Sequence, residues 1–459
     1  MAIQWIDKEI LMKVSLLLIG MAILTTHGSA GLTSAQGIPF MKVPSPLAEN
    51  NPLQRMIPRM IPNVGASFND AGFNNELVRV TEEAGLRHEY SRHDPFNRDH
   101  SMIVLLYPPK GEVRIYRTAS LPYDRKENLV RTVDVEEPRW DSDDPKVLWG
   151  LQGFRLVRIE VTQGQTEVVK DFSQDTKIIP VLREQPDLYR ITTKDEGEPS
   201  MDKRFWAFFI QGANDDYRPR YIITWDRKEN SILGLYKLPK AESSIDWVGM
   251  SPLGKWVLIG GDPDNGGRLA GLTIADKGLS TFHRLDHGTA HADVGLDVYG
   301  NEVIIMQNTR TDFIDLIPID LKTKPVLESG GSYDRTNRAP LVRLFYSSES
   351  AHGLNSGVHI SCNFPGYAVI STYIPPNMPE QNWLDRSIIL VKLDSARPQV
   401  FYLAKVYGTT ATYWEETQAA ITGDGSRVVW ASNWNRNVGE AKTFLIQLNM
   451  PKDWAGLIR

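Results

Sequence analysis

The chain has 459 residues, 41% of them hydrophobic, a length and composition that allow a large buried core without disulfides or a structural metal. Its 51 basic and 56 acidic residues give a formal charge of -5 with no long run of either sign, which excludes the basic footprint of a nucleic-acid-binding protein. The lone cysteine, Cys362, excludes an intrachain disulfide framework and a cysteine-based zinc site.

At the N-terminus, Lys13 precedes an apolar run from Val14 to Leu24, followed by small residues at Gly28-Ser29-Ala30 and Ser34-Ala35. This pattern predicts a signal peptide over residues 1–35 and export to the periplasm or the extracellular space. Asp7 and Glu9 sit awkwardly before such a signal, so Met12 is a second candidate start. The apolar run falls short of the about 20 residues that span a bilayer, and no other segment approaches that length, so the mature chain carries no predicted transmembrane segment. Residues 36–64, rich in proline between Pro39 and Pro62, read as an extended leader.

Residues 65–459 read as one domain built from a repeated hairpin. The clearest copy runs from Trp414 to Trp434: polar Glu415, Glu416 and Gln418 lead into a short apolar strand. A Gly423-Asp424-Gly425 turn, predicted to be of the primed type, follows, and then a β-rich run from Arg427 to Ser432. Six further copies begin near His88, Glu137, Gly197, Asp246, His291 and His359. With Glu89, Glu137, Glu198, Asp246, His291, His359 and Glu416 as markers, the separations are 48, 61, 48, 45, 68 and 57 residues. These periods predict an all-β fold, a seven-bladed β-propeller of four-stranded antiparallel blades. Eight blades, or six with one split, are alternatives within the class, and a β-sandwich is the alternative outside it. Arg155 to Val161, Arg220 to Trp225, Phe313 to Pro318 and Ser387 to Leu393 supply candidate outer strands. Glu76 to Thr81 is the candidate closing strand, beside Thr443 to Leu448.

The first strand of each propeller blade lines the central channel, so the lead-in residues converge on one axis. Glu89, Glu137, Glu198, Asp246, His291 with Asp293, His359, and Glu416 with Gln418 then form a ring of carboxylates and imidazoles. Such a ring is costly unless a cation, Arg or Lys, or shared protons neutralise it. A divalent metal (manganese, then zinc, then calcium) or a polyhydroxylated ligand would do so. The competing reading is that these groups tie blade ends together around a water-filled channel.

The hairpin around TGDGSRVVWAS resembles the TolB-like propeller repeat, and the chain from about His88 onward is similar to bacterial propellers of the oligogalacturonate lyase type. Those enzymes carry a metal-binding His in a Gly-His-Glu strand, matched here by Ala290-His291-Ala292. They also carry a His-Pro-His-Pro lead-in before a Ser-Pro-Asp-Gly turn, whose two His positions hold Glu416 and Gln418 in this chain, and His359-Ile360-Ser361 matches the intervening His strand. Where the family has its catalytic His, this chain reads Asp246-Trp247. The resemblance implies metal-assisted β-elimination on uronate-containing oligosaccharides, with His291, His359, Glu416 and Gln418 as metal ligands. It further implies Asp246 or Glu198 as base and Arg139 or Arg204 as carboxylate anchor. An acidic oligosaccharide or other small polar ligand at the channel mouth would meet Glu137, Asp293, Trp247 and Trp414. A non-catalytic glycan- or protein-binding propeller of the cell envelope is the alternative.

Other signals resolve into structure. His88-Glu89 with His93 misses zincin spacing and has no helical period. The loop from Asp262 offers Thr273 where a calcium loop needs a bidentate Glu. No Gly-x-Ser-x-Gly elbow, Walker loop or Rossmann fingerprint occurs. Trp149, Trp206, Trp256 and Trp430 are predicted to pack between blades, and Cys362 reads as a buried hydrophobe.

Overall fold

The computed structural model describes residues 39–458, except 49, 241–244, 262–267, 289–290, 309, 326–337, 346–356, 374–378, 409, 411 and 436–442. The expected signal peptide, Ala290 and the loop from Asp262 lie outside the described residues.

Seven antiparallel sheets follow one another along the chain as the blades of a propeller. Blade 2 (Glu136–Trp140, Val147–Gln152, Arg155–Glu160, Gln165–Asp171) shows the plain four-stranded meander, innermost strand first. Blade 3 is built from Leu188–Thr192, Phe205–Gly212, Pro219–Asp226 and Ser231–Lys237, and blade 4 from Ile245–Met250, Val257–Gly261, Gly271–Ala275 and Phe282–Asp286. Blade 5 follows with Ala292–Leu296, Glu302–Asn308, Phe313–Pro318 and Ala339–Arg343. Second strands are apolar on both faces because each is sandwiched between its neighbours' sheets: every residue of Val257–Gly261 and Glu302–Asn308 is buried. Trp149 of blade 2 and Trp206 of blade 3 meet across one such interface with ring centroids 5.7 Å apart.

Both ends of the chain close the ring. Blade 7 takes Ala420–Ile421, Arg427–Ser432 and Phe444–Asn449 from the C-terminal part and adds Glu76–Arg79, with Ser67–Asn69 outside it. Ile446 pairs with Arg79 and Leu448 with Leu77, the closing pairing expected from the sequence. Blade 6 (Gly357–Ser361, Tyr367–Tyr373, Ser387–Lys392, Gln399–Lys405) gains a fifth strand, Met41–Lys42, from within the proline-rich stretch, and Phe40 and Val43 beside it are buried.

Three local features depart from the sequence expectations. The Asp424-Gly425 connection is not a primed two-residue turn: the Thr422 N–H meets the Arg427 carbonyl, four residues lie between, and only Gly425 (φ 72°) is left-handed. Blade 1 has three regular strands (Met102–Tyr107, Glu112–Arg117, Leu129–Val133). Its innermost position is filled by an irregular segment that touches the sheet through the Arg87–Leu106 and Phe96–Ile103 bridges. In blade 3 the regular inner strand is Leu188–Thr192, upstream of the Gly197 lead-in. Lys194 and Asp195 both take positive φ, so the strand breaks there and Glu198 follows the break.

Candidate functional site

The irregular inner segment of blade 1 organises the axis. From His88 to Asp94 it runs along the channel, fastened to several blades. Ser91 Oγ donates to the Ile360 carbonyl of blade 6, and Arg92 donates to the Glu196 carbonyl and pairs with its carboxylate at 2.9 Å. Arg87, wholly buried, donates to the carbonyls of Tyr413, Trp414 and Glu416 and so holds the lead-in of blade 7 in place. Capping of that turn by Thr412 and Glu415 fixes the same lead-in from within.

At the end where the inner strands begin, three blades contribute one cluster. His291 precedes the inner strand of blade 5, His359 is central in that of blade 6, and Glu416 and Gln418 lead into blade 7. The two imidazole centroids are 4.7 Å apart and nearly perpendicular. His291 Nδ1 lies 3.0 Å from the Tyr90 hydroxyl, and Gln418 Nε2 donates to Glu416 Oε2 at 3.4 Å. His359 Nε2 lies 3.2 Å from Glu416 Oε2 without an aligned hydrogen bond, and neither ring nitrogen of this fully buried His has a hydrogen-bond partner among the described residues. Tyr90 meets the His359 ring edge-on and Tyr373 stacks on it, so ring contacts rather than hydrogen bonds orient it.

Burial dominates the protonation of this cluster. It drives His291 down to about 3, with the charge of His359 adding to the effect, and His359 to about 3, with Arg87 and Arg92 adding. Both are therefore neutral imidazoles at ordinary pH, with lone pairs available. Burial also raises Glu416 and Glu196 and pushes Asp293 up to about 7. The cluster thus avoids the charge repulsion that a ring of acids would create. Among the described residues, no group of three or more His, Cys, Asp or Glu is arranged to hold a metal ion.

Asp246 is exposed at the start of the blade 4 inner strand, within electrostatic reach of Arg92, Glu196, His291 and Lys194. Trp247 beside it is 2% exposed, with the Arg92 guanidinium 4.5 Å above its ring. A Cβ on Gly260 would fall 2.2 Å from the indole nitrogen, so glycine there leaves room for the ring. Asp293, on the blade 5 inner strand, accepts from the Cys362 and Val294 N–H groups. Trp414, 39% exposed, lies at the rim, with Arg87 5.8 Å from its ring.

The remaining predicted residues lie toward the other end, where the first-to-second strand turns sit. Arg139 donates to both Glu89 oxygens at 2.7 and 2.9 Å, and His93 Nδ1 is 2.5 Å from Glu198. Burial works to raise Glu198, but the hydrogen bond and charge of His93, with Arg139 and Lys203, outweigh it and bring the group to about 2. Glu137, at φ 51°, accepts from Thr192 and Thr193 and ties blade 2 to blade 3. Arg204 is half-exposed at the turn end of blade 3, paired with Asp226 at 2.8 Å. Sequence reasoning did not single out Tyr90, Arg92, His93, Glu196 or Arg87 for the axis. The signal for Tyr90, Arg92 and His93 was a dense run of aromatic and charged residues from His88 to His93 with no strand or helix period; Arg87 and Glu196 lie outside that run.

These features define a single-chain seven-bladed propeller whose axis carries a neutral imidazole–carboxylate cluster at one end and a salt-bridged network at the other. Its fold is that of the oligogalacturonate lyases. An oligogalacturonate lyase in complex with manganese matches 87% of this chain and 99% of its own at 11% identity, with a TM-score of 0.55. The oligogalacturonate lyase of Vibrio parahaemolyticus matches 87% of this chain and 100% of its own at 8% identity, TM-score 0.53. TolB from Acinetobacter baumannii aligns over 64% of this chain at 13% identity with a TM-score of 0.31. No family model and no curated protein matches the sequence. Among the described residues, no helix is long and apolar enough to cross a membrane.

Proposed function

We propose that the chain is an exported, carbohydrate-active propeller that binds acidic oligosaccharides at the strand-entry end of its channel and cleaves uronate-containing chains by metal-assisted β-elimination. The observation that carries this reading is His359: a wholly buried imidazole whose nitrogens make no hydrogen bond with any described residue, beside His291 and with Glu416 Oε2 3.2 Å from Nε2. A buried polar group without a partner is costly unless a ligand supplies one. The donor chemistry fits a divalent cation. Two neutral imidazoles, the Glu416 carboxylate and the Gln418 carboxamide suit manganese or zinc, with calcium the weaker alternative, and these are the residues that would hold it. When bound, such an ion supplies positive charge to a uronate carboxylate and acidifies the adjacent C–H.

The chain's own groups supply the rest. Asp246, the exposed carboxylate on this face, accepts the proton α to the carboxylate. The C–H pair forms the new double bond, the β C–O bond breaks, and the leaving oxygen takes a proton from solvent. Lys194, which donates to the Ile245 carbonyl at 2.7 Å, and Arg92 set a positive field beside that base. Tyr90 holds His291 at Nδ1, and in the tautomer where Nδ1–H donates to the Tyr90 oxygen, Nε2 is the lone-pair atom free for a ligand.

The test uses the full chain, loaded with manganese, on pectic and other uronate oligosaccharides, and follows ultraviolet absorbance of the unsaturated product. Activity should vanish with chelator and fall about 10²-fold or more in Asp246→Asn. Metal-loaded protein that produces no absorbance on any uronate substrate would sink the reading. A non-catalytic glycan-binding propeller is the second reading, favoured by the absence of a closed three-donor group among the described residues. It predicts chelator-insensitive binding without turnover.

A further inference from the structure

The strand-entry end of blade 3 carries an exposed aromatic pair. Tyr189 lies in the inner strand and Tyr217 in the connection between Phe205–Gly212 and Pro219–Asp226. They are 39% and 59% exposed and meet edge to face, with ring centroids 6.2 Å apart.

The strand register puts Tyr189 at the channel mouth. In blade 3 Leu188 pairs with Gly212 and Arg190 with Gln211, so Tyr189 is the extra residue of a bulge. In blade 4 Ile245 pairs with Gly261 and Trp247 with Gly260, so Asp246 is the extra residue at the same level of the neighbouring blade. Lys194 links the two positions: its ammonium donates to the Ile245 carbonyl, and it lies within electrostatic reach of Asp246 and Arg190.

The pair is held in place before any ligand arrives. The buried Gln211 accepts at Oε1 from the Tyr189 hydroxyl at 3.0 Å and from Arg190 Nε at 2.6 Å, and its Nε2 donates to the Tyr217 carbonyl. One amide thus fixes both tyrosines. Folding gives little reason for the rings themselves. Neither belongs to the core packed between blades 2 and 3. Tyr217 also sits at φ 55°, a left-handed position that glycine or asparagine takes at lower cost and where a bulky side chain is an outlier. Strain of this kind clusters at ligand sites.

We propose that Tyr189 and Tyr217 form a distal subsite, which stacks on one pyranose ring of an oligosaccharide whose reacting unit lies at Asp246. The proposal rests on the reading that this face binds acidic oligosaccharides. The apolar C–H face of a sugar packs on an aromatic ring while its hydroxyls stay in water at the exposed rim. The stack reads that face and not the charge, since Arg190 beside it is already engaged by Gln211 and Glu136. Affinity should therefore depend on chain length, because a short substrate fills the centre without reaching blade 3.

The experiment measures binding of digalacturonate and hexagalacturonate, by calorimetry, to the full manganese-loaded chain carrying Asp246→Asn, which leaves the sugar uncut. Added to that parent, Tyr217→Gly and Tyr189→Ala should each weaken the hexamer about tenfold and leave the dimer unchanged. Tyr189→Phe keeps the ring and should bind as the parent does. Tyr217→Gly should melt no lower than the parent, because it relieves the left-handed position. Unchanged hexamer binding in the folded Tyr217→Gly and Tyr189→Ala variants overturns the proposal. Equal losses for dimer and hexamer overturn the distal assignment and move the rings into the central site. A solution dimer that Tyr217→Gly dissociates overturns it in favour of a second copy of this chain. If the parent binds neither oligomer, the oligosaccharide reading falls and the subsite with it. Hexamer binding that responds to the tyrosines in a chain that yields no elimination product sinks the lyase reading and leaves the subsite standing.

Discussion

The two ends of the channel solve the same problem in opposite ways. Each gathers ionisable side chains from several blades around one axis. At the turn end hydrogen-bonded pairs predominate: Arg139 with Glu89, and Glu198, lowered to about 2, with His93, while burial raises Asp94 there to about 7. At the strand-entry end the charges are suppressed: burial holds His291 and His359 neutral and raises Glu416. A paired network consumes its own donors and acceptors, so it holds blades together. A neutralised cluster leaves lone pairs unspent, as at His359, and those can meet a ligand. Stability and function should therefore separate by end when each is mutated.

The largest effect falls on turnover. His359→Leu should abolish elimination by 10³-fold or more in a product-absorbance assay, as expected for loss of a positioned metal or acid–base group. Stability should respond most at the other end: Arg139→Met leaves the largely buried Glu89 carboxylate without its partner and should cost about 3–5 kcal/mol in denaturant unfolding. A smaller effect of opposite sign sharpens the contrast. The same His359→Leu variant should be as stable as wild type or about 1–3 kcal/mol more so, because it removes a buried polar ring that no described residue satisfies. If His359→Leu unfolds as readily as Arg139→Met, the two ends are alike and the division collapses.

The propeller was legible because second strands buried on both faces write continuous apolar runs, and because Glu76 to Thr81 repeats the strand signal missing at the other end of the ring. Equivalence of blade positions then brought His291, His359, Glu416 and Gln418 together before any coordinate. Residues outside the repeat were hidden. Tyr90, Arg92 and His93 lie on a segment that fills a strand's place without strand periodicity, so no pattern placed them on the axis. The Lys194–Asp195 break put Glu198 beyond its strand and beside His93, since consecutive left-handed residues without glycine carry no sequence signature. Glu137 looked like its ring-mates but turns back to Thr192 and Thr193, a choice set by its own positive φ.

The smallest effect probes Asp293, which lies between the two ends. Burial raises it to about 7, against the pull of Arg92, so the folded chain keeps a proton there that the unfolded chain releases near 3.8. The folded state binds more protons between those values. The contribution is therefore full below about 3.8 and is lost as pH rises through 7. His291 and His359, lowered to about 3, have the opposite sign: the unfolded chain protonates first, and stability falls as pH drops from 6.5 toward 3. Between pH 6.5 and 8 the Asp293 effect stands nearly free of theirs. Asp293→Asn removes it and also weakens a hydrogen bond to the Cys362 or Val294 N–H, but that second loss does not vary with pH. Compared at pH 6.5 and 8, the wild-type Tm should fall with rising pH by roughly 1–3 °C more than that of the variant. Equal slopes would mean that Asp293 is ionised in the fold, and the suppression of charge at the strand-entry end would then stop short of the channel's middle.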